Sequence, residues 1–109
     1  MILELLYLLD CPHHGATLDL IDSVLQAESV RVRVRQILVR NYEEACAYGF
    51  PGSPTVRVNG KDIEHVPADG LGVAYACRTY FVEGKPQGVP PRWLVEQAIR
   101  RARRQEAHG

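Results

Sequence analysis

Residues 1–14 read MILELLYLLDCPHH. Residues 2–9 are nearly continuously apolar with Glu4 as the only charge, which is the pattern of a strand buried on both faces in the middle of a sheet. Cys11 and Pro12 follow at once, and Pro12 suits the first position of a helix, where its missing N–H costs nothing. The start of the chain therefore predicts a central strand that turns directly into a helix, with Cys11 at the helix N-terminus.

Two further patterns follow before residue 40. Apolar side chains recur at helical spacing and extend the first helix to about Ala27; they are Leu18, Ile21, Val24 and Leu25. Residues 30–39 alternate valine with arginine and then become apolar. This alternation is typical of an edge strand whose charged face meets solvent.

A short helix and a hairpin are predicted next. Asn41 suits the N-cap of a helix that runs to about Tyr48, and Gly49 suits the left-handed backbone that often ends a helix. In residues 55–64, the pair Asn59-Gly60 separates two short strands. Asn-Gly adopts the positive φ angles that a two-residue hairpin turn requires.

The last third predicts a long loop and a final helix. Residues 65–91 are rich in glycine and proline, so we expect a loop with a short extended piece around 75–82. The final helix runs from Pro91 to about Arg104, and its inward side chains are Leu94, Ala98, Ile99 and Ala102.

The predicted order is strand, helix, strand, helix, strand, strand, helix. Right-handed crossovers in the first two units place the first strand beside the third. The expected fold class is therefore α/β, with one domain over residues 1–109, a mixed four-stranded sheet and helices on both faces. In that arrangement Cys11, at the C-terminal end of the first strand, is expected to lie beside the loop that precedes the third strand.

The composition narrows the classes of function. In a chain of 109 residues, 13 Lys and Arg residues cancel 13 Asp and Glu residues, so the overall charge favours neither nucleic acid nor an anionic membrane surface. No apolar run approaches the ~20 residues of a membrane span, and the first ten residues lack the basic start of a signal peptide. Three cysteines, an odd number, argue against the disulfide framework of a small secreted protein. We therefore expect a cytoplasmic protein.

Cys11 is the first candidate for chemistry. A cysteine at a helix N-terminus lies near the positive end of the helix dipole and near unpaired backbone N–H groups, which stabilise the thiolate over the thiol. The thiolate is the nucleophile. The alternative is that Cys11 is a small buried apolar residue without reactivity.

Two motifs carry a resemblance to a known family. Cys11-Pro12-His13-His14 at the strand-to-helix junction and Gly52-Ser53-Pro54-Thr55 before the hairpin resemble the thioredoxin-like superfamily. The first tetrapeptide is similar to the Cys-Pro-His-Cys of periplasmic disulfide oxidases. With residues 50–55, 59–62 and 76–78 added, the chain resembles more closely a group of small bacterial thioredoxin-like proteins, some of which are associated with alkylmercury lyases.

The resemblance implies a substrate-binding surface. It implies that Pro54 is cis, and that Ser53 and Thr55 flank Cys11 across a shallow groove, with Pro12 beside it. The backbone edge at Ser53 would then dock an extended peptide or the backbone of glutathione. By base rate alone the bond before Pro54 would be trans.

The chain departs from the Cys-x-x-Cys pattern at His14, which stands where the resolving thiol would be. An imidazolium one helical turn from Cys11 would favour the thiolate, and a neutral imidazole could accept its proton. The alternative for His14, and still more for His13, is a surface histidine without a role. Cys77 in the long loop could resolve a mixed disulfide on Cys11 or could be incidental, and Cys46 is expected in the core.

Two classes of function remain open from the sequence. The leading hypothesis is a monothiol thioredoxin- or glutaredoxin-like protein that exchanges disulfides with proteins or low-molecular-weight thiols, with Cys11 as nucleophile, His14 and Cys77 as catalytic partners, and no cofactor. The alternative is a non-enzymatic module that binds a thiophilic metal or a protein, because thiolates and imidazole are soft ligands. A third possibility is a scaffold that has lost catalysis. A resident zinc site is not indicated, because a second close ligand pair is missing.

Overall fold

The computed structural model describes residues 1–64 and 72–108. The predicted loop therefore falls partly outside the described residues, from His65 to Leu71. In chain order the elements are β1 Leu3–Tyr7, α1 His14–Ala27, β2 Val34–Leu38, α2 Tyr42–Tyr48, β3 Thr55–Val58, β4 Lys61–Asp62, β5 Tyr80–Val82, β6 Lys85–Gln87 and α3 Arg92–His108.

Four of the strands form one mixed sheet in the order β2-β1-β3-β4. The central strand β1 runs parallel to β2, with Leu5 opposite Gln36, and antiparallel to β3, with Leu5 opposite Val56. The prediction that the first strand lies beside the third is confirmed, and so is the edge position of β2. With a hydrogen-bonded strand on each side, β1 is a central strand, as its apolar sequence predicted.

Alternate residues of β1 supply two separate cores, one on each face of the sheet. Leu3 and Leu5 pack with residues of α1 and α3, whereas Leu6 packs in the second core. The first core includes Ile21, Val24, Val95, Ala98 and Ile99; the second includes Val39, Ala45 and Phe50. Helices α1 and α3 therefore cover one face and α2 covers the other, as predicted.

The predicted capping and turn residues of α2 and the hairpin are confirmed. The Asn41 side chain accepts a hydrogen bond from the Glu44 N–H, at 2.9 Å, and Gly49 ends α2 in the left-handed conformation with φ 60°. Asn59 and Gly60 have φ angles of 53° and 80°, which suit the turn between β3 and β4.

Several boundaries differ from the predictions, among them β1, which spans Leu3–Tyr7 rather than residues 2–9, and β4, which ends at Asp62 rather than at residue 64. Helix α1 begins at His14 rather than Pro12, because a turn closed by the hydrogen bond from the Cys11 N–H to the Leu8 carbonyl, at 3.1 Å, separates β1 from α1. Strand β2 begins at Val34 rather than at residue 30. Helix α3 runs four residues beyond the predicted end, to His108.

The hairpin of β5 and β6 forms a second, two-stranded sheet that the sequence patterns did not predict. Its turn is Glu83-Gly84, with φ angles of 53° and 78°. This is the same turn geometry as at Asn59-Gly60, formed by a less typical residue pair.

Candidate functional site

A groove at the C-terminal end of β1 brings two cysteines together. Its volume is about 380 Å³, and it is lined by Leu8, Leu9, Asp10, Cys11, Tyr75, Ala76 and Cys77. Cys11 is half-buried, Cys77 is exposed, and both are free thiols. The long loop thus returns to Cys11, so the two cysteines assigned to redox chemistry from the sequence lie at one site although 66 positions separate them.

Cys11 lies in the turn before α1 rather than at the first residue of the helix. The carbonyl of Cys11 accepts a hydrogen bond from the His14 N–H, at 3.4 Å. Pro12 is exposed and belongs to the same turn. Cys11 therefore lies three positions before the first residue of α1 and not at the helix N-terminus, which corrects the predicted position.

The Ser53-Pro54 peptide bond is cis, as the resemblance implied. Ser53, Pro54 and Thr55 are all buried. The Ser53 hydroxyl accepts a hydrogen bond from the Leu8 N–H, at 3.0 Å. Since Leu8 lines the groove, this bond attaches the cis-proline loop, residues 52–55, to the end of β1 beside Cys11.

The backbone edge at Ser53 is not open, contrary to the expectation from the resemblance. The Ser53 N–H donates to the Ala76 carbonyl at 2.9 Å, and the Arg78 N–H donates to the Ser53 carbonyl at 2.8 Å. Ser53 and Cys77 thereby form a parallel β-bridge. The chain's own segment 76–78 takes the place that was predicted for a peptide substrate. The substrate-binding roles of Pro12 and of residues 53–55 stay predictions.

Gly52 makes this pairing sterically feasible. Its backbone φ of 131° is one that residues with a side chain rarely adopt, and a Cβ at this position would lie 2.9 Å from the Cβ of Arg78. The segment 76–78 would therefore have to move if any larger residue replaced Gly52.

Arg78 fixes the segment through a buried ion pair. Its guanidinium donates to both carboxylate oxygens of Asp62, at 2.7 and 2.9 Å, and to Glu64 and the Thr55 hydroxyl. Burial alone would lower the pKa of Arg78, but the hydrogen bonds and negative charge of Asp62 outweigh burial and raise the pKa above its usual range. Arg78 therefore stays charged within the protein.

Tyr80 supports the same loop from inside the protein. Its hydroxyl donates to the Pro54 carbonyl at 2.7 Å, and the Arg78 guanidinium lies 4.6 Å from the centroid of its ring. Burial raises the pKa of Tyr80 although the Arg78 charge opposes the shift. Sequence analysis assigned no role to Arg78, Asp62 or Tyr80. The one available signal was the carboxylate of Asp62 in the second strand of the hairpin, which needs a cationic partner where it is buried.

The two histidines of the tetrapeptide contact other elements. The His14 ring stacks on Tyr7, with centroids 3.7 Å apart and 4° between the planes, and its Nε2 lies 2.8 Å from Oε1 of Gln36. The His13 ring lies against Gly88, where an added Cβ would clash with it. Neither of these contacts is with Cys11, so the proton-accepting role of His14 stays a prediction.

The expectation that Cys46 lies in the core is wrong. Cys46 is exposed, whereas Ala45 beside it is fully buried. In a helix of only seven residues, the face that Ala45 turns toward the second core leaves Cys46 pointing to solvent. A hydrogen bond with Cys46 raises the pKa of Tyr42 one turn earlier.

Residues 1–64 and 72–108 contain neither a candidate metal site nor a membrane-spanning helix. In this part of the chain, no cluster of three or more His, Cys, Asp or Glu side chains could hold a metal ion. None of its helices is long and apolar enough to cross a membrane.

Comparison with models of protein families, with curated proteins and with solved structures gives no match. Function is therefore inferred from the residues and geometry of the chain.

Proposed function

We propose that this protein is a thioredoxin-like thiol–disulfide exchange protein, with Cys11 as nucleophile and Cys77 as resolving thiol. The order of helices and strands, the mixed four-stranded sheet and the cis-proline loop support the thioredoxin-like assignment. Three free thiols suit a reducing, cytoplasmic setting. The partners are thiols and disulfides.

The observation that carries the proposal is the shared groove of Cys11 and Cys77. The Cys11 thiolate attacks one sulfur of a disulfide R–S–S–R, the S–S bond breaks, and one thiolate RS⁻ leaves with the electron pair. The Cys77 thiolate then attacks the Cys11 sulfur and releases the second RS⁻. Two substrate thiols and a Cys11–Cys77 disulfide result, and an external dithiol reduces that disulfide to complete the cycle.

His14 is the proposed third catalytic residue. Tyr7 and Gln36 hold its ring at the first position of α1, and in the proposed reaction its neutral imidazole accepts the proton of the Cys11 thiol. His14→Gln keeps a polar side chain but removes the proton exchange. We expect slower attack by Cys11 in this variant, with a changed pH profile.

Trapping of intermediates tests the proposal. After reaction with a small disulfide, we expect the wild-type protein to contain a Cys11–Cys77 bond, detected by peptide mass mapping. Cys77→Ser should instead accumulate a mixed disulfide on Cys11, and Cys11→Ser should form neither product. Cys46→Ser is the matched control, because Cys46 lies outside the groove. Equal reactivity of the wild type and Cys11→Ser would contradict the proposal.

Capture of a thiophilic metal is the second candidate function, because two thiols in one groove suit a soft ion of low coordination number. Titration with mercury(II) distinguishes the two. Tight binding that needs both Cys11 and Cys77, together with failure to form their disulfide, would favour metal capture over disulfide exchange.

A further inference from the structure

We infer that the substrates of this groove are disulfides of small, largely apolar thiols and not extended polypeptides. The inference rests on the proposed function of Cys11 and Cys77. Its basis is the pairing of Ser53 with segment 76–78, which uses both the N–H and the carbonyl of Ser53. A polypeptide that docked there would have to break both hydrogen bonds first.

The segment is held at several points besides Ser53. The Arg78 side chain is 5% exposed and bound to Asp62 and Glu64. On the other side of Cys77, the Tyr75 hydroxyl donates to the Arg40 carbonyl at 2.9 Å. Displacing the segment would break these contacts and strip a buried charge of its partner, which is strongly unfavourable.

Among the described residues, the groove between residues 8–11 and 75–77 gives access to Cys11. Its volume of about 380 Å³ is near the lower end of the ~300–1,000 Å³ range of small-molecule sites. The walls are mainly apolar, through Leu8, Leu9, Tyr75 and Ala76, and Asp10 adds one carboxylate. Leu9 is 77% exposed at the rim, where an apolar or aromatic group of the substrate would cover it.

Three probes that share the same leaving group, an aromatic thiol, test the inference. The first probe is the mixed disulfide of an aromatic thiol with cysteine amide. The second carries the same aromatic thiol on a cysteine at the centre of a nine-residue extended peptide, and the third is that peptide with N-methylated backbone amides. The full chain with Cys46→Ser is used, so that Cys11 and Cys77 are the only thiols that can react with the probes. Cys11→Ser gives the background rate.

We expect the small probe to react roughly 10-fold faster than the peptide or more, because the residues that flank the peptide's cysteine do not fit the groove and find the backbone of Ser53 already paired. We also expect N-methylation to leave the peptide rate unchanged. A peptide that reacts as fast as the small probe, or that slows on N-methylation, would overturn the inference and leave disulfide exchange intact. Failure of Cys11 to react with any probe would overturn the proposed function as well.

Discussion

Replacing Arg78 with methionine tests whether the buried ion pair holds segment 76–78 in place. Methionine keeps an apolar stem and removes the guanidinium. The side chains of Arg78 and Asp62 are 5% and 7% exposed, so the substitution leaves a carboxylate nearly out of contact with water. Breaking a buried pair in this way costs about 3–5 kcal/mol, a large part of the ~5–15 kcal/mol that stabilises a typical domain.

Urea unfolding followed by circular dichroism measures the cost. With a slope of roughly 2 kcal/mol per molar urea, the midpoint should fall by about 1.5–2.5 M at unchanged slope. The double variant Arg78→Met, Asp62→Leu should recover most of the loss, because it removes the unpaired carboxylate together with its partner. Glu64 is 30% exposed and can turn to solvent.

The double variant also separates the charge effect from a packing effect. Arg78→Met alone leaves the Asp62 carboxylate buried without its partner, whereas the double variant replaces both charges with apolar side chains. A loss below ~1 kcal/mol for Arg78→Met, or an equal loss in the double variant, would refute a stabilising role for the ion pair.

Three further predictions concern Tyr80, Asn41 and Gly49. Tyr80→Phe should lower the free energy of unfolding by about 1–2 kcal/mol, because it leaves the Pro54 carbonyl unpaired. Since burial raises the folded-state pKa of Tyr80, the contribution of Tyr80 to stability is full below about pH 10 and falls at higher pH. Urea unfolding across that range should show this fall in the wild type but not in the variant. Asn41→Ala should cost about 1 kcal/mol in urea unfolding by removing the hydrogen bond to the Glu44 N–H, whereas Asn41→Ser should keep most of the stability. Gly49→Ala should lower the free energy of unfolding by about 1 kcal/mol through the φ of 60° alone, since an added Cβ meets nothing within 4 Å. Gly49→Asn should lose less stability in thermal unfolding. An equal loss in both variants would mean that the left-handed conformation is not the cause.

Local sequence patterns predicted most of the strands, helices and turns, because these elements depend on residues that are close together in the sequence. The apolar run before Cys11 predicted the central strand, and Asn41, Gly49 and Asn59-Gly60 each predicted a cap or turn that the structure contains. The start of α1 was misplaced because Pro12 fits a turn as well as a first helical position. Exposure of Cys46 was missed because a seven-residue helix carries too few apolar side chains to define its buried face.

The tertiary contacts of the site could not be predicted in the same way. Ser53 pairs with Cys77, and Arg78 pairs with Asp62, across 24 and 16 residues of chain. No periodicity links such positions, and the two contacts depend on how segment 76–78 crosses the cis-proline loop. The close approach at Gly52 is the one local requirement, and a glycine before Ser-Pro-Thr does not reveal which segment approaches it.

The pairing of Cys77 with Ser53 bears on the missing second cysteine of the tetrapeptide. The resemblance places the backbone of a substrate at Ser53, opposite Cys11. In this chain the residue that pairs with Ser53 is Cys77, so a protein thiol already stands where a substrate residue was expected. In the proposed reaction the resolving thiol therefore comes from segment 76–78 across the groove and not from the first turn of α1. Replacement of a cysteine by His14 is then compatible with disulfide exchange, because the second thiol is supplied by the same segment that closes the docking edge to polypeptides.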